Sequence, residues 1–273
     1  MNLIQITKYR GRHLTTDLED RIVDYWNRQP CNIGHSDQEL GTEIYFDAVT
    51  AKRYRAEPHI LDFAGFHLWR GKRVLEIGCG IGTDAEQFAR HGAEYVGIDI
   101  SNESLGISRQ RFQLYGLVGD FYLGSVTNKD FLRELGVFDL VYSYGVLHHF
   151  PGMQQHLDNI SDVMHAGSEL RFMVYAKHSW KYAMIQKGLD QFEAQAECPY
   201  AEAFSREEIA QLLTQSKFNL ERIRQDHCFM YNVPAYKRDV YEMEPWFAAM
   251  PETMRDAVRE YLGWHLLVKA KKK

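Results

Sequence analysis

Short apolar runs alternate with amphipathic segments along most of the chain. Apolar runs with turn residues at their ends predict buried strands at residues 73–77, 95–99, 120–123, 138–143 and 169–175, and two more at 219–225 and 265–270. Apolar residues at helical spacing occupy the intervals between the first five runs. Strands that alternate with helices indicate an α/β protein, and we expect a doubly wound, mostly parallel sheet of seven strands.

About seventy residues precede the first predicted strand, and they carry helical patterns at 16–27 and 39–55. We expect residues 1–69 to form a helical N-terminal cap in front of an α/β domain that spans residues 70–273. Residues 176–204 and 227–263 interrupt the strand pattern, and we expect them to be further cap segments inserted into that domain. The second insertion lies between the sixth and seventh strands, where a long segment often shapes a substrate pocket. A contact surface for a homodimer is the alternative role.

The composition is that of an ordinary globular protein, with 45% hydrophobic and 25% charged residues in a chain of 273. The formal net charge of -5 disfavours a large nucleic-acid footprint. The four cysteines show neither metal-ligand spacing nor a disulfide framework, so the sequence predicts no metal site. Because we also see no signal-peptide core and no apolar run long enough to span a bilayer, we expect a cytoplasmic protein without membrane partners.

A glycine-rich turn follows the first predicted strand, in the stretch Val-Leu-Glu-Ile-Gly-Cys-Gly-Ile-Gly-Thr-Asp at 74–84. Glycines at 78, 80 and 82 would let the backbone approach a ligand closely at the start of a helix. One candidate is a dinucleotide, whose pyrophosphate binds at a helix N-terminus; the frame G-x-G-x-x-A at 80–85 keeps this interpretation open. The other is S-adenosylmethionine, whose amino-acid end lies beside a sulfonium. Glu76 is badly placed for a pyrophosphate and well placed for a cation.

Three stretches together carry a family resemblance. The pattern E-x-G-x-G-x-G at 76–82 resembles the first motif of the class I S-adenosylmethionine-dependent methyltransferases. Asp99 ends the second predicted strand about 20 residues later, where a carboxylate accepts the ribose hydroxyls of an adenosine. The stretch 143–149, Ser-Tyr-Gly-Val-Leu-His-His, is similar to the "SxGVLHH" motif of many small-molecule (UbiE/UbiG-like) members.

The resemblance implies a set of contacts to S-adenosylmethionine, with S-adenosylhomocysteine as the product. The implied contact residues are Glu76, Gly78, Gly80, Gly82, Asp99, Ile100, Ser125, Val126, Ser143 and Tyr144. Ser125 stands where the family often has an acid that contacts the adenine amine, so this contact departs from the pattern. From the cap, Tyr25 is a candidate to close over the cofactor, whereas core packing is the favoured explanation for Trp26.

Methyl transfer is an in-line displacement, so the enzyme must align the acceptor, exclude water and, for a hydroxyl acceptor, remove a proton. His148 and His149 are the candidate catalytic bases because histidine titrates in the useful range; packing is the alternative role for each. The sequence therefore predicts methyl transfer to an O or N atom of a small molecule, such as a specialised metabolite. The alternatives are a methyltransferase acting on tRNA or protein, and a non-catalytic S-adenosylmethionine-binding regulator.

Overall fold

A computed structural model of the chain describes residues 17–190, 192, 197–238 and 240–273. Eight strands lie within these ranges. They are β1 (Arg73–Ile77), β2 (Glu94–Asp99), β3 (Asp120–Leu123), β4 (Phe138–Tyr144), β5 (Met164–Ala176), β6 (Ala203–Phe204), β7 (Phe218–Asp226) and β8 (His265–Lys272).

The helices of the described residues precede, separate and follow these strands. They are α1 (Asp17–Arg28), α2 (Glu43–Ala56), α3 (His59–Ala64), α4 (Thr83–Arg90), α5 (Asn102–Tyr115), α6 (Lys129–Glu134), α7 (Met153–Ser161), α8 (Trp180–Gln186), α9 (Arg206–Gln215), α10 (Val233–Tyr236), α11 (Pro245–Ala248) and α12 (Glu252–Leu262). None of them is long and apolar enough to cross a membrane within the part of the chain that the structure describes.

The strands form one sheet in the order β3-β2-β1-β4-β5-β8-β7, with β6 paired to β5 outside this path. The first five strands are parallel, and β8 runs antiparallel to both β5 and β7. This arrangement confirms the predicted α/β fold with a mostly parallel sheet. The carboxyl ends of β1 to β5 therefore meet at one edge, and β8 begins at that edge because His265 pairs with Tyr175.

Both faces of the sheet are covered, as a doubly wound fold requires. Leu75 and Ile77 of β1 belong to a core cluster that includes residues of α7 and α9, whereas Val74 packs in a second cluster with residues of α3 and α4. Because side chains alternate along a strand, Glu76 points to the same face as Val74. The strand thereby presents a carboxylate to the side of the sheet on which α4 begins.

The predicted count of seven strands was one too low, because the two-residue strand β6 is too short to show any periodicity. The last strands lie close to where the sequence put them, and a capping box of Ser205 and Glu208 starts α9. The expected cap segments contain helices: α1 to α3 precede β1, α8 lies within 176–204, and α10 to α12 lie within 227–263. Residues 1–16, 191, 193–196 and 239 of those segments lie outside the described residues.

Candidate active site

The glycine turn between β1 and α4 lies at the carboxyl edge of the sheet. Gly78 and Gly80 have φ angles of 77° and 54°, in the left-handed region that favours glycine. A side chain at Gly78 would overlap the side chain of Val146, so the turn packs tightly against the loop after β4. A Cβ at Gly80 would meet nothing within 4 Å. The turn therefore presents bare backbone to an open space at position 80.

That space is a crevice that runs along the carboxyl ends of the strands. Among the predicted site residues, its lining includes Glu76, Gly78, Gly80, Asp99, Ile100, Ser125, Val126, Tyr144 and His149. Side chains from all the expected cap segments line it as well, for example Trp26, Trp180 and Tyr241. The open-sheet rule that ligands bind beyond the carboxyl ends of parallel strands thus applies to this molecule.

Asp99 is held rigidly at the end of β2. Its Oδ2 accepts a hydrogen bond from the Gly80 amide at 2.8 Å, and its Oδ1 accepts one from the Ser101 amide at 2.8 Å. Burial raises the pKa of this carboxyl group, and the backbone hydrogen bonds act in the opposite direction. Each carboxylate oxygen retains a second lone pair, so Asp99 can still accept hydrogen bonds from a ligand in the crevice.

Glu76 is 4% exposed and forms one wall of the crevice. Its Oε2 accepts a hydrogen bond of 2.6 Å from the Tyr95 hydroxyl. Burial raises the pKa of Glu76 well above its usual value, and the neighbouring negative charge of Asp84 adds to this shift. A cation bound beside Glu76 would stabilise the ionised form, which is the behaviour expected of a cation-binding carboxylate.

Asp84 is paired inside the protein rather than free to meet a ligand. Arg53 of α2 donates to its Oδ1 at 3.2 Å and to its Oδ2 at 3.0 Å. The hydroxyls of Tyr54 and Tyr142 donate to the same carboxylate at 2.9 and 3.0 Å. Sequence reasoning missed this network, which joins α2 to the first turn of α4 by hydrogen bonds. An arginine in a helix gives no sign in the sequence of the carboxylate that it will meet.

The two histidines predicted as bases occupy different environments, although both lie in one 3₁₀ turn at Leu147–His149. His148 is fully buried, packs 3.9 Å from the Tyr175 ring, and does not line the crevice. Neither of its ring nitrogens has a hydrogen-bond partner among the described residues, and burial lowers its pKa well below the usual value. These features favour the packing role for His148.

His149 does line the crevice. Its Nδ1 lies 2.9 Å from the Tyr200 carbonyl oxygen, so the hydrogen bond places the proton on Nδ1 and leaves Nε2 as the acceptor nitrogen. The ring meets Trp26 edge-on at 5.1 Å. Of the two predicted bases, only His149 is therefore in a position to contact a ligand in the crevice.

Three of the predicted cofactor contacts lie elsewhere. Ser143 is buried and its hydroxyl donates to the Ile77 carbonyl, which ties β4 to β1. Gly82 caps the N-terminus of α4 and packs against Ser108. Tyr25 is buried and does not line the crevice, whereas its neighbour Trp26 does, so the expected roles of these two aromatic residues are exchanged.

A cluster of histidines at one end of the crevice was not predicted as a unit. His59 Nε2 lies 3.2 Å from His265 Nδ1, and the His227 ring stacks on the His265 ring with centroids 4.3 Å apart. The Tyr144 hydroxyl lies 2.7 Å from His59 Nε2 and donates to Glu57 at 2.8 Å. Burial lowers the pKa of His59 to about 3 and also lowers the pKa values of His227 and His265, so these imidazoles are neutral at pH 7.

Aromatic side chains form the wall opposite the glycine turn. Tyr175 and Trp264 stack with centroids 4.2 Å apart, and both line the crevice. The buried ammonium group of Lys181 lies 2.9 Å from the Tyr236 hydroxyl and 5.6 Å from the centre of the Trp264 ring. Such a wall can bind a planar or partly apolar molecule and offers it one positive charge.

Comparison with known proteins agrees with this geometry. Residues 75–170 match a family described as "Methyltransferase domain". The ubiquinone biosynthesis O-methyltransferase of Aromatoleum aromaticum is 30% identical over 121 residues, which cover 44% of this chain and 51% of that protein. The protein of the same name from Escherichia coli is 28% identical over 117 residues, which cover 42% of this chain and 48% of that one. The chain thus spans about half the length of the curated relatives that it matches.

Solved structures extend the likeness over nearly the whole chain. Magnesium protoporphyrin IX methyltransferase from Synechocystis, solved with bound S-adenosylmethionine, covers 96% of this chain and 100% of its own at a TM-score of 0.58 and 15% identity. A putative methyltransferase from Bacillus halodurans covers 79% of this chain and 99% of its own at a TM-score of 0.57 and 17% identity. The chain has the class I methyltransferase fold, and its residues 75–170 match a methyltransferase domain.

Proposed function

We propose that the protein binds S-adenosylmethionine in the crevice and transfers its methyl group to an O or N atom of a small molecule. The observation that carries this proposal is the pair of buried carboxylates, Glu76 and Asp99, on either side of the open glycine backbone. When bound, the cofactor supplies a methyl group that its sulfonium has already activated.

The residues present fit this cofactor better than a dinucleotide. A sulfonium and an ammonium are cationic, and the crevice offers them the Glu76 carboxylate, which accepts a hydrogen bond from the neutral Tyr95 hydroxyl. A pyrophosphate would instead face Glu76, Asp84 and Asp99, and only Asp84 has a bidentate arginine partner. The bare backbone at Gly80 leaves room for a ligand on that side.

Binding and orientation are the main tasks of the remaining lining residues. Asp99 would accept hydrogen bonds from ribose hydroxyls, because its two oxygens already have their orientation fixed by backbone amides. The Ser125 hydroxyl lies beside the crevice and can serve the adenine more weakly than the acid that many relatives have there. The aromatic wall would hold the acceptor in line with the methyl group. It would also exclude water from that side, which strengthens electrostatic interactions there.

The acceptor side fits a small molecule with an aromatic or planar part. Tyr175, Trp264 and the Lys181 ammonium would bind its face and a polar substituent. His149, through Nε2, would remove a proton from a hydroxyl acceptor; an amine acceptor would need only its neutral form. The curated relatives bear the name of a small-molecule methyltransferase, which does not favour the tRNA, protein or regulator alternatives.

Calorimetry with purified, tag-free protein tests the first step. We expect heat of binding with S-adenosylmethionine and S-adenosylhomocysteine and none with NAD. The matched variant is Gly80→Arg, whose side chain would fill the open space at the glycine turn. Binding of NAD together with no heat from S-adenosylmethionine would overturn the assignment.

The second step is tested by mass spectrometry. The protein is incubated with metabolite extracts and with cofactor that carries an isotope label in its methyl group, and the label should appear in a small-molecule fraction. Gly80→Arg should abolish that signal. Label found only in tRNA or protein would contradict the small-molecule assignment. The predicted homodimer and the predicted cytoplasmic location stay predictions.

A further inference from the structure

Three histidines from distant parts of the chain converge at one end of the crevice. His59 lies at the start of α3, His227 directly follows β7, and His265 begins β8. Each offers a ring nitrogen, and the three nitrogens all lie within 4.8 Å of one another. Tetrahedral Zn²⁺ sites have metal–nitrogen distances of about 2.0–2.1 Å, which put neighbouring ligand nitrogens ~3.3 Å apart. The 3.2 Å between His59 Nε2 and His265 Nδ1 already matches that spacing.

Oxygen donors complete the set. Glu57 Oε2 lies 3.8 Å from His265 Nδ1, and the Tyr144 hydroxyl lies 3.0 Å from the same nitrogen. Both residues line the crevice, as do His227 and His265. The cluster therefore offers three imidazole nitrogens, with a carboxylate beside them, at the edge of a ligand cavity, and three protein ligands are the set found in catalytic sites that keep the fourth coordination position open. The His227 ring stacks on the His265 ring at an interplanar angle of 13°, so His227 must rotate to aim its nitrogen at the same ion.

The second ring nitrogen of His59 faces a carboxylate, as is usual for a metal-ligating histidine. His59 Nδ1 lies 3.9 Å from Asp226 Oδ1. That carboxylate is itself held by a 2.8 Å hydrogen bond from the His227 amide. Because Tyr144 gives its proton to Glu57, the His59 proton lies on Nε2 in the ion-free protein, and ion binding would move it to Nδ1, on the side of Asp226.

The cluster borders the crevice, which His227 and His265 line. His59 and His227 also line a second cavity, whose wall carries the cationic residues Lys52, Arg55, Arg206, Arg222, Arg224 and Arg259 and the acidic residues Asp226, Glu252, Asp256 and Glu260. The cluster thus lies in the wall between the crevice and this second cavity. Access from outside and ligands of the right type are two of the features that a genuine metal site must have.

We propose that His59, His227 and His265 bind one divalent transition-metal ion of the Zn²⁺ or Fe²⁺ type, with Glu57 beside the open coordination position. Imidazole-rich donor sets without thiolate suit Zn, Fe, Ni and Cu, whereas Mg²⁺ prefers a shell of oxygens. The site lies at the acceptor end of the crevice and, in so far as it serves catalysis, rests on the proposed function. There the ion would bind the acceptor's oxygen and lower the pKa of its hydroxyl, and the released proton would pass to Glu57 or to solvent.

The proposal is tested on tag-free apoprotein with Co²⁺ as a spectroscopic probe and with Zn²⁺ as its competitor. We expect one equivalent of Co²⁺ to give visible d–d absorption bands, and Zn²⁺ to displace it. The main variant is His227→Asn, because His227 has a φ angle of 61° that asparagine tolerates better than most residues. It should weaken Co²⁺ binding at least tenfold, while His165→Asn, at an exposed histidine on β5, should leave binding unchanged.

Circular dichroism checks that each variant is folded, and His59→Gln replaces His227→Asn should the latter fail that check. Wild-type protein that binds no stoichiometric Co²⁺ or Zn²⁺ overturns the proposal, whatever the variants do. So does a folded His227→Asn or His59→Gln variant that binds as tightly as wild type. Metal binding and S-adenosylmethionine binding are measured in separate experiments. A protein that binds no metal would overturn the metal site and leave the proposed cofactor site to its own calorimetric test.

Discussion

Replacing Glu76 by glutamine should change the stability of the protein and its affinity for the cofactor in opposite directions. Glu76 is a nearly fully buried carboxylate whose closest donor is the Tyr95 hydroxyl at 2.6 Å. Glutamine keeps the shape and can still accept that hydrogen bond, but it carries no charge. The protein without cofactor should gain from this change, whereas the complex with a cationic ligand should lose.

The gain in stability follows from the direction in which the pKa moves. Burial and the charge of Asp84 raise the pKa of Glu76 in the folded state above its value in the unfolded chain. As the pH rises, Glu76 therefore loses its proton at a lower pH in the unfolded chain than in the folded protein. The free energy of unfolding falls as the pH rises from the unfolded pKa through the folded pKa. A tenfold difference between the two acid dissociation constants corresponds to about 1.4 kcal/mol. We expect Glu76→Gln to raise the free energy of unfolding at pH 8 by ~1–2 kcal/mol, with the difference shrinking toward pH 5.

The loss in affinity follows from the missing charge. A hydrogen bond to a charged group contributes roughly 1.5–3 kcal/mol, which corresponds to a Kd for S-adenosylmethionine that is higher by about 10- to 150-fold. In wild type, protonation of Glu76 at low pH should weaken binding in the same way, and affinity should rise as the pH rises through the folded pKa. The variant should show no such rise.

Urea unfolding at pH 5 and pH 8, together with calorimetry over the same range, measures both effects. Glu94→Gln is the matched control, because Glu94 is exposed and begins β2 at the end opposite Asp99. It should change neither quantity by more than about 0.5 kcal/mol. A Glu76→Gln variant that is less stable than wild type at pH 8, or that binds the cofactor equally well, would refute the assignment of Glu76 as a cation-binding carboxylate.

Three further changes follow from the same geometry. Tyr95→Phe removes the donor that lowers the pKa of Glu76, so the pH at which cofactor affinity rises should move upward in calorimetric titrations. Arg53→Met should lower the free energy of unfolding, measured with urea, by ~3–5 kcal/mol, because it leaves the buried Asp84 carboxylate without its cation. The double variant with Asp84→Asn should recover more than half of that loss. His148→Leu removes two buried ring nitrogens that have no hydrogen-bond partner among the described residues, so the melting temperature should stay equal or rise. The rate of methyl transfer should change less than about twofold, and a loss of about 100-fold or more would show that His148 acts as a base.

The cofactor half of the crevice could be predicted because its signals are local. The glycine turn at 78–82 and the acid at 99 each follow an apolar strand, and parallel strands end at one edge whatever the rest of the chain does. Glu76 was identifiable from its place two residues before the first glycine and from the resemblance of that stretch to a known motif. The position of the crevice itself needs only strand periodicity and the geometry of an open parallel sheet.

The acceptor half was hidden because its residues are close in space and far apart in sequence. His59, His227 and His265 come together only once β7 and β8 have paired and α3 has packed on the sheet. The adjacent pair His148 and His149 shows the same limit on a smaller scale. A 3₁₀ turn sends one ring into the core and the other into the crevice, and nothing in the two-residue sequence decides which.

Tyr144 connects the two halves, and its position explains why they would act together. It ends β4 beside the glycine turn, and the Arg53 guanidinium, which holds Asp84, lies 5.3 Å from the centre of its ring. Its hydroxyl, at the other end of the ring, meets the histidine cluster and Glu57. Tyr144 thus contacts groups of both halves, so a shift of its ring on cofactor binding would reach the histidines. We expect cofactor binding and metal binding to be coupled, and by linkage each should then change the other's affinity by the same factor.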